Sequence, residues 1–599
     1  MKFTQVKVAR NVYSLLDKRQ KKQFLILVFI FTLSSIFEVA GVGSLFPFLS
    51  IISNPETMIN NEIIMKIKNI FNLQNINQLV GLMGFFSIVL FVVANILGLL
   101  NIWIMQRYGW SVQSKMASEM FKEHLYLPYN HFLNDNSSNM TKNIIYETEL
   151  YLSGCLMPLL HIFAYGIITV FIICFLSIIN FKVALIILIF FSLILYTFNF
   201  IVKSKLKIQG QKRVSATSLR YKILSECFGA IKEIKILGKE EFFSTLFRRP
   251  SNEFSKAMAF GAIIKSLPRY GLEIFGFTII ISWLLFALSK NITLVEIIPI
   301  LGLYAVAGYR IMPAVTRVYM GINSLQFHKS AIENLLNKKR KINLSRHSTK
   351  SKNEIIKNFE IGDLEFDNVS FSYSKSKPNI LDNISLKIPA FSNVVLVGLT
   401  GSGKSTFINL ILGLIKPTKG KIVHQGNLFH ENEIFNFQQK VGYVPQSIYL
   451  LDDTITSNIA LGLNYNEINI EKVIQASKQA QIYEFISSNL SNKFNTIVGE
   501  KGARLSGGQI QRIGIARAFY NEPDYLILDE ATSNLDVKTE NKFLEELKKL
   551  KNKNTIIHVS HRNNVIKSAD KIFVFEKGRV EVFENYADFE NSSFRDLIS

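Results

Sequence analysis

Six apolar runs occupy the first 312 residues of this 599-residue chain, and they restrict its fold more than any other feature. They lie at 24–52, 79–105, 155–179, 183–202, 270–288 and 292–312. Within them the acids are sparse, with Glu38 in the first run, Glu273 in the fifth and Glu296 in the sixth. About twenty apolar residues in a helix match the hydrocarbon thickness of a bilayer. One such run could be a buried core helix. Six within one half of a chain read as membrane spans.

The charges set an orientation for those spans. Residues 1–22 carry seven Lys/Arg against Asp17 alone, and residues 203–269 carry fifteen Lys/Arg against five acids. The connection 53–78 is balanced, with two of each sign. Positive charge collects on the cytoplasmic side of a membrane, so both termini are expected there. The net charge of +22 then reflects topology more than affinity for nucleic acid. The first run is too long for a secretory signal. Cys155, Cys174 and Cys227 lack the spacing of a disulfide framework or a zinc site and the neighbours of a reactive thiol.

Two connections, 106–152 and 203–269, are far longer than turns and carry little Pro or Gly punctuation. They read as helices running tens of ångströms out of the bilayer at about 1.5 Å per residue. Their aromatic tips, Leu127–Phe132 and Gly238–Phe243, are candidate contact points. A basic stretch at 338–357, with eight Lys/Arg and one acid, reads as a solvated linker. Beyond Ile361 short β-branched runs alternate with helical stretches, the pattern of a soluble α/β domain. The expected fold is an all-α six-span transmembrane domain (1–335) joined by a basic linker (336–360) to an α/β domain (361–599), in which the glycine-rich run Gly398–Thr406 between an expected strand and helix points to a P-loop NTPase.

The chemistry is concentrated in that second part. Gly398-Leu-Thr-Gly-Ser-Gly-Lys-Ser-Thr406 follows the expected strand 393–397 and opens the helical run 407–415. Its glycines let backbone N–H groups turn inward around phosphates, and the next helix points its positive end at them. Gly398, Thr400, Gly401, Ser402, Gly403, Lys404, Ser405 and Thr406 form this nucleotide-binding loop. Lys404 reaches the β- and γ-phosphates, and Ser405 offers a hydroxyl to Mg²⁺. The run Tyr525–Glu530 is an apolar strand ending in two carboxylates. Asp529 is placed for Mg²⁺ through water, and Glu530 for polarising the attacking water. Leu505-Ser-Gly-Gly-Gln509 opens another helix and makes a second phosphate site. One γ-phosphate does not need two such sites in one domain, so Ser506, Gly507, Gly508 and Gln509 point to a nucleotide held by a second copy.

On these residues the segment 361–599 resembles the nucleotide-binding domain of an ATP-binding cassette transporter. Six spans ahead of one such domain resemble the half-transporter plan of the exporters. The resemblance implies ATP and Mg²⁺ as ligands, and two copies paired head to tail. It gives Tyr373 the aromatic role at adenine, Gln446 a role at Mg²⁺, and Ser533–Asp536 the loop crossing the dimer seam. It makes His561 the γ-phosphate switch beside the catalytic Glu530, and matches Thr496–Gly502 to a segment typical of exporters. Lys404 of one copy would clamp ATP against Ser506 of the other.

Cargo must be read from the spans. Arg310 and Arg317 are seven residues apart and share a helical face. Arg269 is expected at similar depth, so the three guanidiniums could hold a phosphate or pyrophosphate. Equally, they could be snorkelling anchors, with Arg269 paired to Glu273 one turn on. The segments Ser266–Gly276 and Gly308–Arg317 resemble the corresponding spans of bacterial lipid-linked oligosaccharide flippases, which would make a polyprenyl-pyrophosphate-linked glycan the cargo. Glu38 and Asn95, polar groups within spans, are assigned to an interhelical hydrogen bond or to function, and not to cargo. Alternatives are an exporter of another lipid, drug or peptide, a soluble cassette ATPase acting on nucleic acid, and a nucleotide-gated channel. The six runs oppose the soluble reading, and an intact Glu530 favours turnover over gating.

Overall fold

In the computed structural model the described residues are 2–53, 69–71, 73, 75–134, 137–289, 294–346, 360–374 and 378–595. They form two units. The first holds residues 1–127 and 132–346, and the second holds 347–599 together with Pro128–His131.

The first unit is helical. Its principal elements are α1 (Lys2–Ser14), α2 (Lys18–Gly43), α3 (Leu45–Ser53), α4 (Ile76–Leu125), α5 (Met157–Ile179), α6 (Phe181–Gly229), α7 (Glu240–Ser289), α8 (Leu294–Phe327) and α9 (Lys329–Arg346). Where described, the apolar runs fall on these helices except at Ser44 and at Cys155–Leu156, which belong to a π-helical turn ahead of α5; the opening of the sixth, 292–293, lies outside the described residues. The first run is not one helix. It breaks at Ser44, between α2 and α3. Pro47 has no N–H to bond the Gly43 carbonyl four residues back, and Gly41 and Gly43 weaken the preceding turn. Three stretches among the described residues, Lys18–Ser53, Ile76–Leu125 and Ser138–Ile179, are long and apolar enough to cross a membrane.

Long helical extensions are present, as the spacing predicts. The 50 residues of α4 span about 75 Å, well beyond the apolar core of a bilayer. The connection 106–152 is helical only in pieces after Leu125: Tyr129–Asn134, Ser137–Ile144 and Tyr146–Tyr151 are short, followed by a π-helical turn, Leu152–Leu156. Gly238 ends the helix Ile231–Leu237 in the left-handed conformation at φ 61°, which glycine adopts without steric cost. The basic stretch at 338–357 is not wholly a linker, because α9 runs through its first part to Arg346; 347–357 lie outside the described residues.

Packing follows from the apolar surface. At one level Val12, Phe24, Phe31, Tyr108, Tyr151 and Leu160 form a buried core. The Tyr151 hydroxyl donates to the Val12 carbonyl at 2.9 Å and Tyr108 to that of Gln20 at 3.0 Å, so both buried phenols are satisfied. At another level Val42, Ile172, Leu176, Leu272, Leu303 and Ile311 pack together. Phe29, Phe85, Leu99, Ile178 and Ile274 instead face outward. An apolar exterior of that extent suits lipid and is costly in water.

The second unit is built on two sheets. An antiparallel sheet takes the order β2-β1-β4-β5, with β1 Leu364–Phe371, β2 Leu381–Ile388, β4 Lys419–His424 and β5 Asn427–Leu428. The main sheet has the order β10-β9-β3-β8-β7-β6. Its strands are β3 Asn393–Val397, β6 Val441–Val444, β7 Tyr525–Asp529, β8 Thr555–Val559, β9 Lys571–Glu576 and β10 Arg579–Phe583. All neighbours are parallel except β10, which pairs antiparallel with β9. Strands β7 and β8 are buried at every residue, as parallel strands covered on both faces must be. One face packs Phe407, Ile411 and Phe437, and the other packs Val444, Ile513 and Phe543.

Candidate functional site

Register gathers the candidate residues at one edge of the main sheet. Val559 of β8 pairs with Leu396 of β3 on one side and with Asp529 of β7 on the other. The loop after β3, the carboxylates ending β7 and the segment Ser560–His561 after β8 therefore leave the sheet together. Open parallel sheets bind ligands at this carboxyl edge.

The loop is held by three glycines at positive φ: Gly398 at 147°, Gly401 at 83° and Gly403 at 108°. Space also selects glycine at two of them. A Cβ at Gly398 would lie 2.3 Å from the Phe575 carbonyl oxygen, and one at Gly403 would lie 2.6 Å from Leu381 Cδ2. A Cβ at Gly401 would meet nothing within 4 Å, so that side of the loop is open. Gly403 caps α10 (Lys404–Ile411), whose first N–H groups face the loop. Lys404 folds back over it: Nζ donates to the Gly398 carbonyl and, at 3.0 Å, to that of Leu399. Burial pulls its ammonium below the usual lysine range, against the attraction of Glu530 and Asp529. Ser402 and Thr406 are buried beneath the loop, whereas Ser405 is exposed. Thr400 lies on the loop between Gly398 and Gly401. The Tyr373 hydroxyl sits 3.4 Å from Thr406 Oγ1, and its ring meets Phe371 edge-on with centroids 4.9 Å apart. Tyr373 is 43% exposed, and the residue is thus open to a stacking partner.

The carboxylates differ in environment. Asp529 is buried, and loss of hydration together with the adjacent Glu530 charge raises its pKa to about 6, despite Lys404. Glu530 turns off the strand with φ 50°, in the left-handed region, where a non-glycine residue costs on the order of 1 kcal/mol. Its N–H donates to the Val559 carbonyl at 3.1 Å, and its carboxylate accepts from Gln446 Nε2 at 2.9 Å. Gln446 reaches it from just beyond β6. A buried acid whose charged form is disfavoured, beside a second carboxylate, is a donor set short of positive charge, and a divalent cation fits it.

The second glycine motif caps α11 (Gly507–Phe519). Ser506 Oγ accepts from Gln509 N at 3.3 Å, and Ser506 N donates to Gln509 Oε1 at 2.9 Å. Gln509 is thus occupied in a capping box. Ser506 and Gly507 are exposed, and a Cβ at Gly507 would meet nothing within 4 Å. Gly508 must be small, because its Cβ would lie 2.9 Å from the Asn534 carbonyl oxygen.

Two linkages escape the motifs. Gln511, buried on α11, donates to the Glu530 carbonyl at 3.1 Å and accepts from Asn534 N–H at 2.9 Å, joining that helix to Glu530 and the Ser533–Asp536 loop. A polar residue on the buried stripe with Gly514, Ile515 and Ala518 was the available signal. Arg562, next to His561, pairs with the buried Glu540 and donates to the Ser533 carbonyl at 3.3 Å. His561 itself is half-buried.

The arginines of the first unit are each engaged separately. Arg310 Nη1 lies 3.2 Å from Glu38 Oε1, its Nη2 donates to Asn95 Oδ1 at 3.2 Å, and its guanidinium sits 5.0 Å from the Phe91 ring centre. Arg269 Nε pairs with Glu273 at 2.7 Å. Arg317 lies 6.0 Å from the Tyr165 ring centre.

Comparison with known proteins bears on both units. Residues 381–533 match the family model described as ABC transporter, and residues 24–306 match that described as ABC transporter transmembrane region. YgaD of Bacillus subtilis, whose name describes multidrug export, is 43% identical over 219 residues, 37% of each chain. An ATP-dependent lipid A-core flippase of Haemophilus influenzae is 39% identical over 240 residues, 40% of each chain. The alpha-hemolysin translocation ATP-binding protein HlyB of Escherichia coli is 42% identical over 219 residues, 37% of this chain and 31% of that one. These matches span two fifths or less of the relatives' length. The structure of a bacterial Atm1-family ABC exporter with ATP bound shares the fold, with a TM-score of 0.74 and 20% identity over 97% of each chain. With a transmembrane region and an ATP-binding cassette matched in one polypeptide, and an exporter's fold along nearly its whole length, the chain belongs to the ABC transporters, in the half-transporter arrangement.

Proposed function

We propose that two copies of this chain form an ATP-driven exporter of the plasma membrane, with both termini cytoplasmic. The observation that carries this reading is the convergence of Lys404, Asp529, Glu530, Gln446 and His561 at one sheet edge, with the exposed Ser506–Gly507 helix start left for a nucleotide on a second copy. In this reading Gly398–Thr406 wrap the phosphates and Tyr373 stacks on adenine. Ser405, Gln446 and Asp529 would hold Mg²⁺, which neutralises charge on the β- and γ-phosphates. Lys404 swings from the loop carbonyls to those phosphates. Glu530 orients and polarises the attacking water, and His561 contacts the γ-phosphate. Ser506, Gly507 and Gly508 of the partner close over the same ATP, while Gln509 holds the cap in shape. ATP binds the closed state better than the open one, and hydrolysis removes that preference, so the spans alternate between faces.

For cargo, we infer a polyprenyl-pyrophosphate-linked glycan carried from the inner to the outer leaflet. Support comes from the resemblance of Ser266–Gly276 and Gly308–Arg317 to such flippases, and from a chemistry in which Arg269, Arg310 and Arg317 receive the pyrophosphate. Arg310 would exchange Glu38 and Asn95 for phosphate oxygens. Flipping of a fluorescent polyprenyl-pyrophosphate oligosaccharide in proteoliposomes tests this. Arg310→Ala with Arg317→Ala should abolish flipping while basal ATP hydrolysis persists; unimpaired flipping by that variant would remove the arginines from the cargo site, and absence of flipping by the wild type would discard the cargo. A second reading, an exporter of another lipid, drug or peptide, is favoured by the carboxylates already paired with Arg310 and Arg269. The relatives' names likewise cover drug, lipid and toxin export.

A further inference from the structure

Away from the ATP site and the three arginines, the first unit contains a cavity of about 460 Å³ between α1, α5, α6, α8 and the start of α9. Its volume lies in the range of small-ligand sites, about 300–1,000 Å³. The wall is almost wholly apolar, and Phe163 and Phe200, both exposed, stand in it beside the buried Leu325. Three lysines, Lys203, Lys207 and Lys329, also line it, and no acidic residue does.

The position along the chain gives this composition its meaning. The apolar run of α6 ends at Val202, and Lys203 is the first charge beyond it. The cavity therefore straddles the level at which a membrane helix passes from hydrocarbon to headgroups. Lys203 and Lys207 are four residues apart on one helical face, where like charges repel. Neither has a carboxylate partner among the described ion pairs. Lys329 has a loose one, Glu333, at 3.6 Å. An apolar recess ending in unneutralised ammonium groups matches one chemistry: an acyl chain continuing into an anionic headgroup. A free anion would gain nothing from the apolar wall, and a zwitterionic lipid little from three lysines.

We propose that this groove binds an anionic phospholipid of the bilayer, one acyl chain against Phe163, Phe200 and Leu325 and the phosphate at Lys203, Lys207 and Lys329. The proposal rests on the reading of Lys203 as a membrane-boundary residue and is independent of the cargo. Bound there, the lipid bridges α1 to α5, α6 and α8.

Native mass spectrometry of the full chain, purified and exposed to an equimolar mixture of phosphatidylglycerol and phosphatidylcholine, tests it. The wild type should retain phosphatidylglycerol about tenfold over phosphatidylcholine. Lys203→Gln, Lys207→Gln and Lys329→Gln combined should erase that preference while ATP hydrolysis continues. Equal retention of the two lipids, a preference unchanged in the triple variant, or displacement of phosphatidylglycerol by 10 mM inorganic phosphate would overturn it. Should the triple variant fail to fold, a photoreactive residue replacing Val6, at the cavity wall, should crosslink phosphatidylglycerol in vesicles, and absence of the adduct would overturn it as well. A spin label at Ser204→Cys, with Cys155, Cys174 and Cys227 replaced by Ser, reports the boundary separately. Access to aqueous nickel without lipid-borne oxygen, or to oxygen without nickel, would show failure of that reading, apart from failure of the lipid site.

Discussion

Gln446 Nε2 donates to Glu530 Oε2 at 2.9 Å, tying the segment after β6 to the carboxylate that ends the Tyr525–Glu530 run. The bond fixes Glu530 by its side chain, while the Val559 carbonyl and Gln511 fix it by its backbone. A carboxylate positioned from three elements is suited to orient water, because geometry governs proton transfer before pKa does. Glu530→Gln keeps an acceptor for Gln446 and removes the base. ATP hydrolysis should fall by about 10²–10⁴-fold, the usual contribution of a general base, while ATP binding is retained. Phosphate release and nucleotide retention, measured on the same preparation, check this. Unchanged hydrolysis would make the assignment of Glu530 wrong.

Asp529 predicts a pH-dependent stability. Its pKa is raised from 3.8 to about 6, so the folded state favours the protonated acid. That contribution is fully present below pH 3.8 and is lost as pH rises through 6. Above this the nucleotide-free fold bears a penalty on the order of 3 kcal/mol at most. Asp529→Asn should therefore raise the unfolding midpoint of the nucleotide-free protein by a few degrees at pH 7.5, with a smaller gain at pH 5. It should also weaken stabilisation by Mg-ATP. A gain independent of pH, read by intrinsic fluorescence, would contradict the environment assigned to Asp529.

Glu38 and Arg310 predict a non-additive pair. Each is largely shielded from solvent, so removing one partner leaves the other's charge uncompensated. Glu38→Gln and Arg310→Gln should each destabilise the solubilised protein by about 1–3 kcal/mol, and the double variant should recover most of the loss. Additive losses in a thermal-unfolding double-mutant cycle would show that the two side chains do not act as a pair.

Much of this was legible in the residues. The strand–loop–helix around Lys404 and the strand ending at Asp529 follow from local pattern, because fully buried parallel strands write themselves as unbroken apolar runs. The break at Ser44 was also written, in Gly41, Gly43 and Pro47, but hydropathy alone passes over it. Gln511 and Arg562 were not found, since their partners are 19 to 29 residues away and only the tertiary fold brings them together. The same holds for Arg310. Its spacing to Arg317 gave a shared face, whereas its partners Glu38 and Asn95 lie 272 and 215 residues earlier in the chain. Charges read along one helix say nothing of the acid on another that neutralises them.

The shared ATP site is tested most directly by trans-complementation, counting trapped nucleotide in doubly tagged dimers that also carry Glu530→Gln. A chain with Lys404→Ala paired with a chain with Ser506→Arg keeps one intact combination, Lys404 of the second with Ser506 of the first. Such a dimer should trap one ATP, whereas either variant paired with itself, or a chain bearing both substitutions paired with one bearing neither, should trap none. Trapping of one ATP by that last dimer and of none by the first would mean that each cassette holds its nucleotide alone.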